Sequence, residues 1–172
     1  MRTQKGVTLI ELLLVLSALS LALLAVASYS LPWIARESAK SAAYDVQTHM
    51  QLARIEAVGR NRVCAMEVNT TSRRVSVWDT QGTFSTLDDE MLYDVTLPDT
   101  VSFARPVAGA PVTLGTLSAD RFAVAFRSDG TVSAGAGDVV LFGGERYERI
   151  TVFWAGGIQV EHWDGSAWRA GS

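Results

Sequence analysis

The sequence predicts an α+β protein in which one long N-terminal helix packs against an antiparallel, β-rich C-terminal domain. The helix is indicated by an apolar run that opens the chain and by a helical periodicity that continues to about residue 60. The domain is indicated by a change to short alternating segments after that point. A chain of 172 residues can supply one domain with a core and a separate terminal element, but not two ordinary domains.

The chain begins with a short basic segment, residues 1–6, followed by an apolar run at residues 7–31 in which Glu11 is the only charged residue. Roughly 20 helical residues cross the hydrocarbon core of a bilayer, so this run is predicted to be a transmembrane helix. Arg2 and Lys5 are expected to stay in the cytoplasm, since positive residues flank the cytoplasmic end of such helices. The remainder of the chain then lies on the other side of the membrane.

A secretory signal peptide is the alternative interpretation of the same run. The stretch Ala25-Val26-Ala27 resembles a small-x-small cleavage site, which would give a soluble secreted protein that starts at Ser28. However, the apolar run is longer than the roughly 7 to 15 residues that such signals use, and Glu11 would have no role in that mechanism. A charged side chain at membrane depth costs roughly 3 kcal/mol, so Glu11 is predicted to be a functional residue with a partner.

Residues 32–60 are predicted to continue the helix as an amphipathic segment whose apolar stripe lies on a sheet. Pro32 predicts a kink or a local break where the apolar run ends, and Gly59 is the predicted helix terminator. From residue 7 to residue 58 the helix would be on the order of 75 Å long, which is far longer than a helix in a globular protein normally is. The predicted stripe consists of Ala39, Ala42, Ala43, Val46, Met50, Ala53 and Ala57.

Residues 61–172 are predicted to form the β-rich domain. Short runs rich in β-branched and aromatic residues are separated by Gly, Asp and Ser, which is the pattern of antiparallel strands. Ser128-Asp129-Gly130 and Asp164-Gly165 predict tight turns. The predicted strands are Val63–Val68, Val75–Trp78, Phe122–Phe126, Val139–Phe142, Ile150–Trp154 and Ile158–Trp163.

The sequence contains no motif of a nucleophilic serine, a phosphate-binding glycine loop or a zinc-hydrolase helix. The acidic group Asp88, Asp89 and Glu90 lacks the spacing of a calcium-binding loop, and we interpret it as a solvated loop. Cys64, the only cysteine, falls in an apolar strand and is predicted to be a buried thiol. We therefore predict no catalytic residue, no cofactor, no metal site and no enzymatic activity. Two histidines without a recognisable partner, His49 and His162, are predicted to be surface or packing residues.

The N-terminal residues KGVTLIELLLVLSALSLALLAVA resemble the prepilin leader and first helix of type IV pilins and type II secretion pseudopilins. In that family a prepilin peptidase cuts after the glycine, on the cytoplasmic side, and the new N-terminus is methylated. The resemblance implies cleavage between Gly6 and Val7, N-methylation of Val7, and retention of the helix. It also implies that Glu11 serves filament assembly, because the glutamate of one subunit is thought to face the terminal amine of its neighbour. Such pairing removes much of the cost of both charges in lipid.

A later segment, LARIEAVGRNRVCAMEV at residues 52–68, resembles the helix end and first strand of the GspH/FimT family of minor pseudopilins and minor pilins. FRSDGTV and WAGGIQVEHWDGSAW are similar to the late strands of that family, and residues 80–120 correspond to its variable, exposed excursion. The resemblance implies a pilin-like fold and a non-enzymatic subunit of a type II secretion pseudopilus or a type IV pilus. The implied partners are other pilin or pseudopilin subunits, the prepilin peptidase and methyltransferase, and inner-membrane lipid, with the domain in the periplasm.

DNA binding during natural transformation is the alternative function, since some FimT-type minor pilins carry an arginine motif near the last strand. The matching stretch here, Gly157-Ile158-Gln159-Val160 followed by Glu161, has no arginine. A formal net charge of −3 also argues against nucleic acid as a partner. Arg146, Arg149 and Arg169 are the candidates that could still converge in space. The tryptophans predicted to be core or sheet-face residues, rather than a platform for stacking bases, are Trp78, Trp154, Trp163 and Trp168.

Overall fold

The computed structural model describes residues 8–81 and 89–170, and within the helix it describes only the backbone of residues 25–32. One helix is followed by a series of antiparallel strands, which confirms the α+β fold predicted from the sequence. The elements are α1 (Leu9–Arg60), β1 (Cys64–Asn69), β2 (Arg74–Asp79), β3 (Glu90–Thr96), β4 (Ser102–Phe103), β5 (Gly115–Thr116), β6 (Arg121–Phe126), β7 (Val132–Ala134), β8 (Gly137–Gly143), β9 (Arg146–Val152), β10 (Ile158–Trp163) and β11 (Trp168–Ala170).

Helix α1 runs from Leu9 to Arg60 without interruption, a length of 52 residues, or about 78 Å at 1.5 Å per residue. The local break considered at Pro32 is therefore wrong, because residues 31–33 are all helical. A proline removes one N–H group from the hydrogen-bond ladder, and a helix can continue through it. Within the described residues, we find no helical stretch that is both long enough and apolar enough to cross a membrane.

The helix ends later than predicted, at Arg60, and Gly59 lies inside its last turn. Asn61 adopts the left-handed conformation that closes the helix, with φ 53° and ψ 43°. Asparagine tolerates this conformation because its short polar side chain can hydrogen-bond locally. The Arg62 N–H then donates back to the Ala57 carbonyl at 3.1 Å. The termination assigned to Gly59 therefore belongs to Asn61.

The strands form two antiparallel sheets. The first has the order β3-β2-β1-β6-β5, with β7 added to β6, and the second has the order β11-β10-β9-β8-β4. Each strand predicted from the sequence has a counterpart, but β9 ends at Val152, so its predicted extension to Trp154 is wrong. A tight turn takes the place of that extension, because the Gly156 N–H donates to the Phe153 carbonyl at 2.8 Å.

Strand β3 lies in a region where the sequence predicted a solvated loop. Glu90 opens this strand, which pairs with β2 along Arg74–Asp79, so the loop prediction is wrong from Glu90 onward. The strand is at the edge of its sheet and most of its side chains are exposed, which explains why its apolar alternation is weak. Asp88 lies outside the described residues.

The core lies between α1 and the inner faces of both sheets. The predicted helical stripe from Ala39 to Ala57 is buried in full, with every member at most 1% exposed. Five of its seven positions are alanines, whose small side chains let the helix backbone lie close to the sheets. The prediction that this stripe lies on a sheet is confirmed. The sheets contribute Met66, Val77, Phe126, Leu141 and Ile150, each 0% exposed.

The β8–β9 hairpin contacts α1 directly through its backbone. Gly144 has φ 56°, and a Cβ at this position would come within 2.6 Å of the Arg36 backbone nitrogen. Arg36 in turn donates from Nε to the Gly144 carbonyl at 3.0 Å and from a terminal nitrogen to Glu145 at 3.2 Å. Only glycine fits at residue 144, and the hairpin fastens the helix near residue 36.

A cluster of charged side chains fastens the other end of the helix to the first sheet. Arg60 donates from Nε to Glu56 at 2.7 Å and from a terminal nitrogen to Asp79 at 3.2 Å. Asp79 belongs to β2 and is only 1% exposed. Tyr93 of β3 donates its hydroxyl to the second oxygen of Glu56 at 3.0 Å. The helix end, β2 and β3 therefore share one hydrogen-bonded cluster.

We expect Glu56→Gln to lower the free energy of unfolding by about 1–2 kcal/mol at neutral pH, and we expect this deficit to vanish in acid. Hydrogen bonds from Arg60 and Tyr93 lower the pKa of Glu56 below its ordinary value. A carboxylate with a lowered folded-state pKa contributes stability above its unfolded-state pKa, and that stability is lost as the pH falls through the folded-state pKa. Urea unfolding of the full chain in detergent, followed by tryptophan fluorescence at pH 7 and at steps below pH 4.5, measures the difference.

Asp94→Asn is the matched control, because Asp94 pairs with Arg74 of the neighbouring strand and both side chains are at least 40% exposed. This variant should change the unfolding free energy by less than about 0.5 kcal/mol. A Glu56→Gln deficit that stays constant into acid would contradict a role based on the charge of Glu56.

Candidate functional site

The residues predicted to be processed, Gly6 and Val7, lie outside the described residues, which begin at Thr8. Thr8 is the N-cap of α1, in an extended conformation with φ −77° and ψ 151°. Its hydroxyl accepts a hydrogen bond from the Glu11 N–H at 3.3 Å. This contact satisfies one of the N–H groups that every helix start leaves without a partner in the helix. The helix therefore begins directly after the predicted cleavage point.

Glu11 is the acidic residue in the first turn of α1. A Thr-x-x-Glu sequence at a helix start is the capping-box pattern, and the helix dipole favours a negative charge there. The pattern is visible in the sequence, from which Glu11 is predicted to serve intersubunit pairing alone. The Glu11 residue is exposed, so its carboxylate can also be reached by a cation from outside the chain. Local capping and pairing between subunits are both available to this one side chain.

The first part of α1 presents an uncovered apolar surface. Every large apolar side chain in residues 9–24 is at least 50% exposed, and an apolar surface of this extent marks contact with lipid or another protein. The two serines of this segment direct their hydroxyls onto helix carbonyls, Ser17 onto Leu14 at 2.9 Å and Ser20 onto Leu16 at 2.8 Å. Polar groups satisfied within the helix suit a segment with apolar surroundings.

The side chains that could carry chemistry are dispersed over the domain. Among the described residues, no group of three or more His, Cys, Asp or Glu side chains is placed to hold a metal ion. Cys64 is fully buried, and burial raises the pKa of its thiol to about 11. It therefore lacks the thiolate character that a nucleophile needs at neutral pH. His49 bonds the Asp45 carbonyl of its own helix at 2.7 Å, and His162 lies in β10.

The arginines that could have converged for DNA binding each have a carboxylate partner instead. Phosphate binding draws its affinity from cations that are free to replace counterions. Gln159 and Glu161, in the stretch where the family's arginines are expected, add no positive charge. This part of the second sheet therefore presents no basic surface. The ion pairs are Arg146 with Glu148, Arg149 with Glu161, and Arg169 with Asp164.

The tryptophans occupy two kinds of environment. Trp78, Trp163 and Trp168 lie half-buried in strands, as predicted. Trp163 and Trp168 pack edge to face, with ring centres 5.4 Å apart. Trp154 is 63% exposed in the turn after β9, so its prediction as a core or sheet-face residue is wrong. Because β9 ends early, the indole lacks the neighbours that a strand position would give it.

Two comparisons of the sequence with known families bear on what the chain is. Residues 42–156 match the family described as type II transport protein GspH. The chain belongs to the GspH family. Residues 1–27 of this GspH-family protein match the prokaryotic N-terminal methylation motif. Both matches confirm the resemblance stated from the sequence. Comparison with curated proteins finds no match.

Solved structures of pilin-like proteins are similar to this GspH-family chain. The type IV minor pilin FimU of Pseudomonas aeruginosa superposes with a TM-score of 0.52 at 16% identity, covering 78% of this chain and 94% of that one. The minor pseudopilin EpsH from the type 2 secretion system of Vibrio cholerae has a TM-score of 0.48 at 16% identity, covering 72% of this chain and 95% of that one. The likeness to FimU shows a pilin fold. Family and fold together make this chain a minor pseudopilin or minor pilin subunit, as predicted, in a family that is structural rather than catalytic.

Proposed function

We propose that this GspH-family protein is a non-enzymatic subunit that is anchored in the inner membrane and incorporated into a secretion pseudopilus or a type IV pilus. The observation that carries the proposal is the apolar surface at residues 9–24, on a helix that continues unbroken into the core of the folded domain. The described part of the domain buries a core of its own, whereas the larger apolar surface at residues 9–24 has nothing covering it within the chain. Such a chain is suited to membrane attachment and filament assembly rather than to catalysis.

The proposal divides the chain into four parts. Residues 1–6 are the leader, residues 7–31 the membrane and filament-core helix, residues 32–60 its amphipathic continuation, and residues 61–172 the periplasmic domain. The positive charges of the leader keep the N-terminus in the cytoplasm. Lipid covers the apolar helix before assembly, and the equivalent helices of neighbouring subunits cover it afterwards.

Processing leaves the helix able to pass from lipid into contact with the helices of neighbouring subunits. Cleavage between Gly6 and Val7 by the prepilin peptidase keeps the helix on the mature chain and creates an amine one residue before the Thr8 cap. N-methylation of Val7 preserves the positive charge of that amine. Glu11 of one subunit can then pair with the Val7 amine of the next, which relieves the cost of two charges in an apolar environment.

Mass spectrometry of the mature N-terminus tests the proposed function. We expect a chain that begins with N-methylated Val7 and remains in the membrane fraction. A chain that begins at Ser28 and is free in the periplasm would overturn the proposal, because the apolar surface would have been removed. Gly6→Leu is the matched control, since it should block cleavage while leaving the apolar helix, the Thr8 cap and the domain unchanged.

A further inference from the structure

The turn between β9 and β10, at residues 153–157, presents two adjacent aromatic side chains to solvent. Phe153 is 48% exposed and Trp154 is 63% exposed. The turn backbone is held in place, because the Phe153 N–H donates to the Gly157 carbonyl at 2.9 Å and the Val132 N–H donates to the Trp154 carbonyl at 3.0 Å. Aromatic side chains on a rigid backbone lose little conformational entropy on docking, and they are enriched among the residues that dominate protein–protein binding.

This turn packs against a second turn and against α1. Gly156 has φ 81°, and a Cβ there would lie 2.0 Å from the Gly130 carbonyl oxygen, so the two turn backbones are in direct contact. Arg54 of α1 lies against both glycines, and the exposed Val58 lies against Gly130. Arg127 opens the second turn, where its carbonyl accepts the Gly130 N–H at 2.9 Å. We call the combined surface of Arg54, Val58, Arg127, Phe153 and Trp154 the aromatic–arginine surface.

The charge of the aromatic–arginine surface differs from that of the rest of the domain. Among the residues that the structure describes, every other arginine has a carboxylate oxygen within 4.0 Å, whereas Arg54 and Arg127 have none. Asp129, in the same turn, accepts hydrogen bonds from the Thr131 N–H and hydroxyl at 2.9 and 2.6 Å. Arg54 and Arg127 therefore make no ion pair within 4.0 Å, although the charge of Arg127 acts on the nearby Asp129 carboxylate and helps to lower its pKa. Both arginines belong to the elements that meet at the turn carrying the two exposed aromatic side chains.

A protein fits this surface better than lipid or nucleic acid does. Arg54 lies about 35 Å along α1 from residue 31, which is too far from the bilayer that would hold the anchor. Two arginines, one of them close to Asp129, make too few phosphate contacts for firm binding of nucleic acid. Arginine and aromatic side chains together are the composition that is enriched in protein–protein interfaces.

We propose that the aromatic–arginine surface docks a neighbouring subunit of the filament, at a position where an apolar side chain is flanked by carboxylates. This inference rests on the proposed function, which supplies the neighbouring subunits. Phe153 and Trp154 bury against the apolar side chain, while Arg54 and Arg127 pair with the carboxylates and fix the orientation of the partner. Val58 extends the contact onto the helix that enters the filament core.

Site-specific photo-cross-linking tests the inference in cells that make the full-length chain together with its partner subunits. Trp154 is replaced by p-benzoylphenylalanine, and we expect a covalent adduct whose mass identifies another pilin-like subunit. The control carries the same group in place of Glu145, whose side chain is 84% exposed in the β8–β9 turn, and should give at least about tenfold less of that adduct. An adduct with lipid or nucleic acid, or no adduct above the control, would overturn the inference.

Arg54→Glu provides an independent measurement. We expect this variant to reduce incorporation into filaments at least about fivefold, which corresponds to roughly 1 kcal/mol, while Arg54→Lys retains most of it. An unchanged unfolding midpoint in detergent establishes that the Arg54→Glu domain is folded. If Arg54→Glu incorporates normally while Glu11→Val does not, the inference fails and the proposed function stands. Absence of the unmodified chain from filaments would instead contradict the proposed function.

Discussion

Glu11→Val is expected to leave folding and membrane insertion intact but to reduce incorporation into the filament by at least about tenfold. A charge at membrane depth costs roughly 3 kcal/mol, and under the proposed function docking in register would let Glu11 pair with the Val7 amine of a neighbouring subunit. Loss of about 1.4 kcal/mol of this stabilisation is enough for a tenfold effect. Quantitative pull-down or cross-linking of the chain in sheared filaments, normalised to its level in the membrane, measures the change.

Two further variants separate charge pairing from helix capping. Glu11→Gln removes the charge but keeps a side chain that suits the third position of a capping box. Thr8→Ala removes the cap at a cost of about 1 kcal/mol but keeps the charge. If charge pairing governs assembly, Glu11→Gln behaves like Glu11→Val, and Thr8→Ala assembles. The opposite result would assign Glu11 to capping, and normal incorporation of Glu11→Val would remove its assembly role.

Gly156→Ala is expected to lower the free energy of unfolding by about 3 kcal/mol. The residue has φ 81°, and the new Cβ would lie 2.0 Å from the Gly130 carbonyl oxygen. The two turns must separate to admit the methyl group, which strains the hydrogen bond between the Val132 N–H and the Trp154 carbonyl. Urea unfolding of the full chain in detergent measures the loss.

Gly165→Ala is the matched control for this substitution. Gly165 also has a positive φ of 99°, but nothing lies within 4 Å of a Cβ added there. Backbone strain alone should cost about 1–2 kcal/mol. Equal losses in the two alanine variants would show that the contact between the turns contributes nothing to stability.

The long helix and its buried stripe are predictable because helical periodicity is a local property of the sequence. Positions 39–57 repeat at three and four residues, and the same positions are the buried ones. The helix end is harder to predict, since Gly59 and Asn61 both tolerate a left-handed backbone. The helix continues past Gly59 to Arg60, which donates a hydrogen bond to Asp79. These two residues are 19 apart in the chain, so a local sequence pattern does not reveal the contact.

Strand β3 is a second element that the sequence pattern does not predict. Its residues are mostly exposed because it lies at the edge of the first sheet. An edge strand is stabilised mainly by pairing with its neighbour, here β2. Its side chains therefore need little alternation between apolar and polar, and a sequence pattern has little to detect. Trp154 is predicted to lie in a strand for the opposite reason, since an aromatic residue next to β-branched ones favours a strand. In the structure it lies in the turn that Gly156 closes.

The two candidate sites differ in how far the sequence predicts them. The roles of Gly6, Val7 and Glu11 are predicted from the resemblance of the N-terminal segment to prepilins, and the structure adds Thr8 as the cap of the helix start. The aromatic–arginine surface has no such signal, because Arg54 and Trp154 are a hundred residues apart. The arginines without a carboxylate partner can be identified only in three dimensions, because the ion pairs of the other arginines must be known first.

The unbroken course of α1 has a mechanical consequence. The domain is tied to the helix at two separate levels, by the β8–β9 hairpin near Arg36 and by the charged cluster around Arg60, about 36 Å apart along the axis. Two ties at that separation resist tilting as well as sliding. A growing filament that pushes on its central helices would therefore move this domain together with α1, because no break interrupts the described helix.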